Sequence, residues 1–300
     1  MKIKDRDLVY IIFDKRRKYI RTVEAGQVFH TDRGFIEFND IIGKEFGDTI
    51  CTQPSKQKAY LLKPIPKDII TKMGRASQII YPEDIGMILM YTGISPGYMV
   101  VEAGCGSGSL TSIMGVYIQP SGHVYSYDIR EKAVKQARKN MKKMGVADFV
   151  SIEQGDICAP EMIQKHDENI DAVILDMVSP WMAIPNAFKF LKNSGICCIF
   201  SPVIEQVKKT REIMTQIGFY EIETYELLKR KIQVKSKGFG ATRPESRMVG
   251  HTGYLTFGRK VNDKFTELIT KEEYLVKLRN SSDKDEEDII HNISGIFKPP

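Results

Sequence analysis

Apolar and polar positions change rhythm along the 300-residue chain. From Leu8 to about Ile50, short β-rich runs (LVYIIF, KYIRTV, VFH, FIEF) alternate with turn segments (DKRR, EAG, TDRG), which predicts a meander of strands. Pro54, Pro64 and Pro66 then remove backbone donors and interrupt regular structure, so a linker is expected there. After Tyr81 the signal turns helical: Pro82 suits a first helical position, Glu83 and Asp84 complement the helix N-terminus, and an apolar run continues to Tyr91. Strand and helix patterns then take turns: MVVEA, a helix from Leu110, HVYSYD, a helix from Glu131 ended by Gly145, FVSIE, DAVILD, a helix near Phe188, ICCIF and a helix toward Ile217. This alternation predicts an α/β fold with a mostly parallel sheet covered on both faces. IETYELL, KIQV and GYLTFG follow with no helix between them and are expected to close the sheet as an antiparallel hairpin. Beyond Lys260 the chain drifts toward Lys, Glu, Asp, Asn and Ser, most strongly in SSDKDEED. The expected division is a small N-terminal β-module over 1–68, an α/β domain over 69–260 and an acidic, weakly structured C-terminal tail over 261–300.

Composition narrows this picture. Hydrophobic residues make up 42% of the chain, enough for one full α/β core and a small module beside it. No apolar run reaches the roughly 20 residues that span a bilayer, and MKIKDRDLVY is charged where a leader would be apolar; a cytoplasmic protein with no membrane partner is expected. Cys51, Cys105, Cys158, Cys197 and Cys198 contain no C-x-x-C pair and no spaced histidine set, so reduced thiols and no metal are expected. The net charge is +6, yet residues 261–300 hold six Lys/Arg against nine Asp/Glu, which leaves the first 260 residues at +9. A body this basic suits a polyanion such as RNA, and an ordinary basic surface equally well.

The candidate chemistry starts at VVEAGCGSGSL. Gly104, Gly106 and Gly108 let the backbone turn after a buried strand and approach a ligand closely. Their spacing is G-x-G-x-G, whereas a dinucleotide site needs G-x-G-x-x-G, and Glu102 just before them argues against a pyrophosphate. Asp128, at the end of HVYSYD, can accept from the vicinal hydroxyls of a ribose, and Gly155-Asp156 after FVSIE from an adenine amino group. The cofactor expected is S-adenosyl-L-methionine, which carries no phosphate. Strand DAVILD delivers Asp176 to the same edge, followed by Met177, Val178, Ser179, Pro180 and Trp181. An acidic group and a flat aromatic suit a nucleobase acceptor: adenine N1 becomes cationic on methylation, and a carboxylate held near it stabilises the developing charge. A strand-end cap is the plainer reading of Asp176. Cys105 needs no role, because nothing basic beside it activates a thiolate.

These residues resemble the tRNA (adenine-N1)-methyltransferase family, archaeal type, whose members modify T-loop adenine 58 and sometimes 57. The resemblance rests on SQIIYPED at 77–84, VVEAGCGSGSLT at 100–111, YDIRE at 127–131, ILDMVSPW at 174–181 and RPESRMVGHTGYLTFGRK at 243–260, and covers roughly residues 1–260. It implies a Rossmann-like class I methyltransferase with a seven-stranded sheet, acting on the tRNA T-loop as a homotetramer. It implies cofactor contacts from Gln78, Gly104, Gly106, Ser107, Gly108, Ser109, Asp128, Asp156 and Asp176. Tyr81 and Trp181 match residues beside the adenine pocket, and His251 one in a loop near it. The chain departs from the family in the tail after GYLTFGRK and in Met177-Val178, where members usually carry Leu-Pro.

Trp181 is thus a candidate to flank a flipped base, or a packing residue. Lys15, Arg16, Arg17 and Lys18 form a basic turn that either meets tRNA phosphates or is a solvated tip. Lys229, Arg230, Lys231, Lys235, Lys237, Arg243 and Arg247 gather around a glycine-containing loop and are the favoured RNA contact, with His251 beside them. Two other readings stay open: a protein or small-molecule methyltransferase on the same fold, such as an isoaspartyl-repair enzyme, and a non-catalytic tRNA-binding subunit.

Overall fold

The computed structural model describes residues 1–74, 79–166, 169–234 and 242–262. Six short strands open the chain: β1 (Leu8–Ile12), β2 (Lys18–Thr22), β3 (Val28–Thr31), β4 (Gly34–Glu37), β5 (Thr49–Cys51) and β6 (Lys58–Leu62). Four of them make an antiparallel sheet in the order β2-β1-β6-β5, and β3 pairs with β4 as a separate hairpin. Val9, Ile11, Phe29, Ile36, Ile41 and Leu61 fill a core of their own beneath these strands. The expected linker position is corrected here. Pro54 only turns the chain between β5 and β6, and the alternation of KAYLL, which buries Ala59 and Leu61, makes residues 58–62 part of the first sheet. Pro66 likewise starts a helix, α1 (Pro66–Lys72), where a missing N–H costs nothing; the Asp68 carboxylate accepts the Ile65 N–H at 3.1 Å.

The second part begins with α2 (Pro82–Thr92), which has Pro82, Glu83 and Asp84 in its first turn and ends on Gly93 at φ +70°. Strands and helices then alternate: β7 (Met99–Ala103), α3 (Ser109–Tyr117), β8 (His123–Asp128), α4 (Glu131–Met144), β9 (Val150–Gln154), α5 (Glu161–His166), β10 (Ile170–Leu175), α6 (Ile184–Phe190), β11 (Leu191–Ser201), α7 (Ile204–Ile217) and β12 (Phe219–Glu226). Two residue pairs, Ile232–Gln233 (β13) and Arg243–Pro244 (β14), precede the final strand, β15 (Tyr254–Lys260). The large sheet runs β12-β15-β11-β10-β7-β8-β9. Strands β7 to β11 are parallel, and β15 is antiparallel to both β11 and β12. KIQV does not join this sheet: among the described residues β13 pairs with β14 alone, as a two-stranded ribbon standing between β12 and β15 in the chain.

Period-2 alternation explains how one sheet serves two layers. Val100, Ile174 and Cys198 face the cluster built with Ile88, Ile113, Met114 and Met141, whereas Val101, Val173 and Cys197 face the cluster built with Ile184, Phe188, Ile213 and Met214. Strand order reverses beside β7, because the chain builds β7, β8 and β9 outward and then returns to lay β10 on the other side. The loops after β7 and β10 therefore part in opposite directions and leave a crevice at the carboxyl edge. No helix among the described residues is long and apolar enough to cross a membrane.

Because β15 lies between β11 and β12 in the sheet, ending the chain at Gly253 leaves two long strand edges unpaired. Such a protein is expected to lose its cooperative urea transition and to aggregate; a soluble product with the full-length midpoint would contradict the pairing.

Candidate active site

The site is built on the turn after β7. Gly104, Gly106 and Gly108 have φ of +90°, +53° and +78°, a region that costs an L side chain strain. Gly104 is the tightest, since a Cβ there would run into the main-chain carbonyl of Asp176. Gly104 and Cys105 donate their N–H groups to the Tyr127 carbonyl at 2.8 and 3.1 Å, and Asp176 donates its own to the Ala103 carbonyl at 2.9 Å, so β7, β8 and β10 are stitched together at their ends. From below, the buried Asn140 of α4 donates to the carbonyls of Ser107 at 2.7 Å and Gly74 at 3.1 Å.

These elements enclose a cavity of about 190 Å³, lined by Ile80, Glu102, Gly104, Cys105, Gly106, Ser107, Ser109, Leu110, Arg130 and Asp176. Two carboxylates, Glu102 and Asp176, line it, and a third, Asp128, sits behind Arg130. Glu102, 2% exposed, accepts hydrogen bonds from the hydroxyls of Thr111 and Ser126; burial pushes its pKa up, and these bonds only partly offset that. Asp176 is pushed up to about 7, by burial first and then by the negative charge of Glu102, with Arg130 opposing. Asp128 goes the other way. Burial resists its ionisation, but the Arg130 guanidinium at 3.0 Å on each oxygen and the N–H groups of Arg130 and Gly106 hold it below the usual carboxylate range.

The structure thus brings Glu102, Gly104, Gly106, Ser107, Ser109 and Asp176 to one wall, with Gly108 capping α3 just behind. Asp128 sits under Arg130, and the lining includes the guanidinium rather than the carboxylate. Gly155 donates its N–H to the Asp128 carbonyl at 3.2 Å, while Asp156 is exposed and caps its own loop by accepting the Cys158 N–H at 2.9 Å. Tyr81 is the N-cap of α2, next to Ile80 in the cavity wall. Trp181 packs against the second core cluster with the Lys209 ammonium 5.0 Å from its ring. Gln78, Lys235 and Lys237 lie outside the described residues. Arg243 and Arg247 are exposed, Lys229 pairs with Glu83, and Lys231 with Glu245 at 3.0 Å. Both ring nitrogens of His251 are taken up by the protein itself, on Glu226 and the Pro202 carbonyl. Arg17 of the N-terminal basic turn is paired with Asp14 and Asp32. Sequence reasoning missed Arg130 and Asn140; YDIRE contains the first, two residues after Asp128, and no local signal marks the second. Among the described residues no group of His, Cys, Asp or Glu is arranged to hold a metal ion.

A glycine turn at the switch point of this sheet, with acidic groups at the ends of three neighbouring strands, defines a Rossmann-like methyltransferase. Residues 57–241 match the family model described as tRNA methyltransferase complex GCD14 subunit, and residues 7–50 match that of the TrmI-like N-terminal region. The chain is 36% identical over 271 residues to tRNA (adenine(57)-N(1)/adenine(58)-N(1))-methyltransferase TrmI of Methanocaldococcus jannaschii, covering 83% of this chain and 94% of that protein. It is 29% identical to the tRNA (adenine(58)-N(1))-methyltransferase catalytic subunit of Dictyostelium discoideum, covering 86% and 96%. Among solved structures it is similar to a SAM-dependent O-methyltransferase from Thermotoga maritima (TM-score 0.78, 30% identity, 88% of this chain and 96% of that one) and to tRNA (m1A58) methyltransferase TrmI from Aquifex aeolicus (TM-score 0.73, 28% identity, 88% and 100%). The chain belongs to the TrmI-like, GCD14-type tRNA methyltransferase family.

Gly104→Ala is expected to destabilise the protein and abolish cofactor binding by calorimetry, because neither the φ nor the Asp176 carbonyl tolerates the methyl group. Asp176→Asn is expected to stabilise the fold. With a folded pKa near 7 against about 4 unfolded, Asp176 holds its proton more tightly in the folded state, so its contribution falls as pH rises from about 4 to 7. Asparagine escapes that loss. Its unfolding free energy should exceed the wild type's at pH 8, by at most about 4 kcal/mol, and should approach it at pH 4; equal unfolding free energies at pH 8 would refute the argument.

Proposed function

We propose that the chain transfers a methyl group from S-adenosyl-L-methionine to N1 of adenine 58 in the tRNA T-loop, with adenine 57 as a second position. The observation that carries this reading is the acidic cavity, in a chain whose M. jannaschii relative bears the name of that activity. Glu102, Asp128 and Asp176 outnumber the one cation, Arg130, in and beside the cavity. That excess suits a ligand bearing an ammonium and a sulfonium and opposes a phosphate. When bound, S-adenosyl-L-methionine supplies an electrophilic methyl group on positively charged sulfur.

On this reading the residues divide the work. The turn from Gly104 to Gly108 carries the cofactor on its main chain, with Glu102 and Ser109 at its ends, and Gln78 belongs to the same set. Asp128 takes the ribose, which requires Arg130 to share or yield the carboxylate, and Gly155 and Asp156 face the adenine. Asp176 orients the acceptor base: its carboxylate accepts from the exocyclic amino group and stabilises the positive charge that grows on the ring. Tyr81 and Trp181 border the flipped base. Lys235, Lys237, Arg243 and Arg247 meet phosphates, which position the tRNA without reading its sequence. The division into a β-module over 1–68, a methyltransferase domain over 69–260 and an acidic tail belongs to the same proposal, as do a cytoplasmic location and a homotetramer. Light scattering giving about four times the 34.2 kDa chain mass would support the tetramer.

The O-methyltransferase name of the T. maritima structure gives the competing acceptor class. Incubating the protein with labelled cofactor and unmodified tRNA, then mapping the labelled nucleoside, decides between them: 1-methyladenosine at 58 is expected, and an unlabelled tRNA would end the proposal. Asp176→Ala should retain measurable cofactor binding while methylation falls by orders of magnitude. For the wild type, kcat/KM should rise with pH through about 7 as Asp176 ionises in the free enzyme, a limb that Asp176→Asn should lack.

A further inference from the structure

Outside the cavity, at the carboxyl edge of the sheet, His251 is held through both ring nitrogens. Its Nδ1 lies 2.6 Å from the Glu226 carboxylate at the end of β12, and its Nε2 lies 2.9 Å from the Pro202 carbonyl just after β11. Neither partner can donate. A neutral imidazole has one N–H and would leave a ring lone pair facing an oxygen lone pair at one of these contacts; the imidazolium satisfies both. The surroundings agree. Glu226 hydrogen-bonds the ring, Asp84 of α2 faces it across the edge, and the Tyr254 ring packs 4.8 Å away. The nearby cation Lys229 is engaged by Glu83. The bonds to Glu226 and to the Pro202 carbonyl raise the His251 pKa above its ordinary value.

What this ring holds is a strap. Residues 245–253 run from β14 to β15 and are tied at two places. At the start, Glu245 donates its N–H to the Lys231 carbonyl at 2.8 Å and its carboxylate meets the Lys231 ammonium. At the end stand His251 and Thr252, whose hydroxyl donates to Asp84 at 3.1 Å. Between the ties, Arg247, Met248 and Val249 face solvent. Asp84 lies in the first turn of α2, whose N-cap is Tyr81, beside the cavity residue Ile80.

We propose that His251 is a positioning residue: held as an imidazolium between Glu226 and the Pro202 carbonyl, it staples the strap to the ends of β11 and β12 and thereby sets Arg247 and the α2 N-terminus where RNA docks. The staple stands on the geometry alone; its consequence for RNA rests on the function proposed above. The imidazolium predominates below the raised pKa, and one of the two bonds is lost as pH rises through it.

The test has two arms, and the first needs no RNA. Long-range nitrogen-correlated NMR of the imidazoles, with His251 assigned from His251→Gln, should show both of its nitrogens protonated at pH 6.5, with a midpoint above that of a free imidazole. Glu226→Gln should bring the midpoint down. A single neutral tautomer at pH 6.5, or a midpoint unmoved in Glu226→Gln, overturns the staple. In the second arm, His251→Gln should raise KM for tRNA roughly tenfold at pH 7, the loss of one charge-assisted hydrogen bond. KM should change more than kcat, and the cofactor Kd should hold. The wild type's KM should climb toward the variant's as pH passes the NMR midpoint. A KM equal to the wild type's, or a fall confined to kcat, overturns the positioning role. If the wild type methylates no tRNA at all, the proposed function fails while the NMR arm still decides the staple.

Discussion

The contact between the Gly104 main chain and the Asp176 carbonyl is the constraint from which the rest of the site follows. β7 and β10 are adjacent parallel strands, and the chain leaves them in opposite directions. Their exits can converge on one ligand only if the backbones approach without a side chain between them, which requires glycine at 104 and tolerates the left-handed φ found there. Once they meet, Glu102 and Asp176 fall on the same wall, and the shared acceptor at the Tyr127 carbonyl brings in β8 with Asp128. The burial that packs these strands is therefore also what crowds their carboxylates.

That crowding is resolved unequally. Arg130 and two N–H groups satisfy Asp128, whose charge is then an asset to the fold. Glu102 receives two hydroxyl donors, whereas burial and the charge of Glu102 leave the Asp176 pKa pushed up to about 7. On the function proposed above, a cationic cofactor would relieve this crowding, and a base that becomes cationic would relieve it further. On that same function, a carboxylate kept under strain in the empty cavity is one that interacts more strongly with a charged transition state than with a neutral ground state.

Much of this was legible in the chain. Buried strands end where periodicity stops, so Glu102, Asp128 and Asp176 could be placed at one sheet edge from spacing alone, and Pro82 with Gly93 and Gly145 marked helix ends. What escaped had long-range or ambiguous causes. The KAYLL strand hid among prolines that read as a linker, and KIQV carries a strand pattern but finds its partner only across the loop, at Arg243–Pro244. Asn140 acts on a carbonyl 33 residues away, and the partners of His251 lie 25 and 49 residues away; no periodicity encodes such meetings.

The charge on the outer surface needs the same discrimination as the charge inside. Seven basic residues between 229 and 247 look like one RNA-binding stretch in the sequence, but a cation already held by a carboxylate contributes less to counterion release than a free one, because its partner must be displaced or carried along. Lys229 and Lys231 are held in this way, by Glu83 and Glu245. Arg230, Arg243 and Arg247 have no ion-pair partner among the described residues. The two held lysines lie at the root of the strap and the ribbon, and Arg247 lies between the strap's ties. The paired cations are therefore structural anchors, and among the described residues of this stretch the exposed guanidinium groups are the ones a phosphate could reach without displacing a carboxylate.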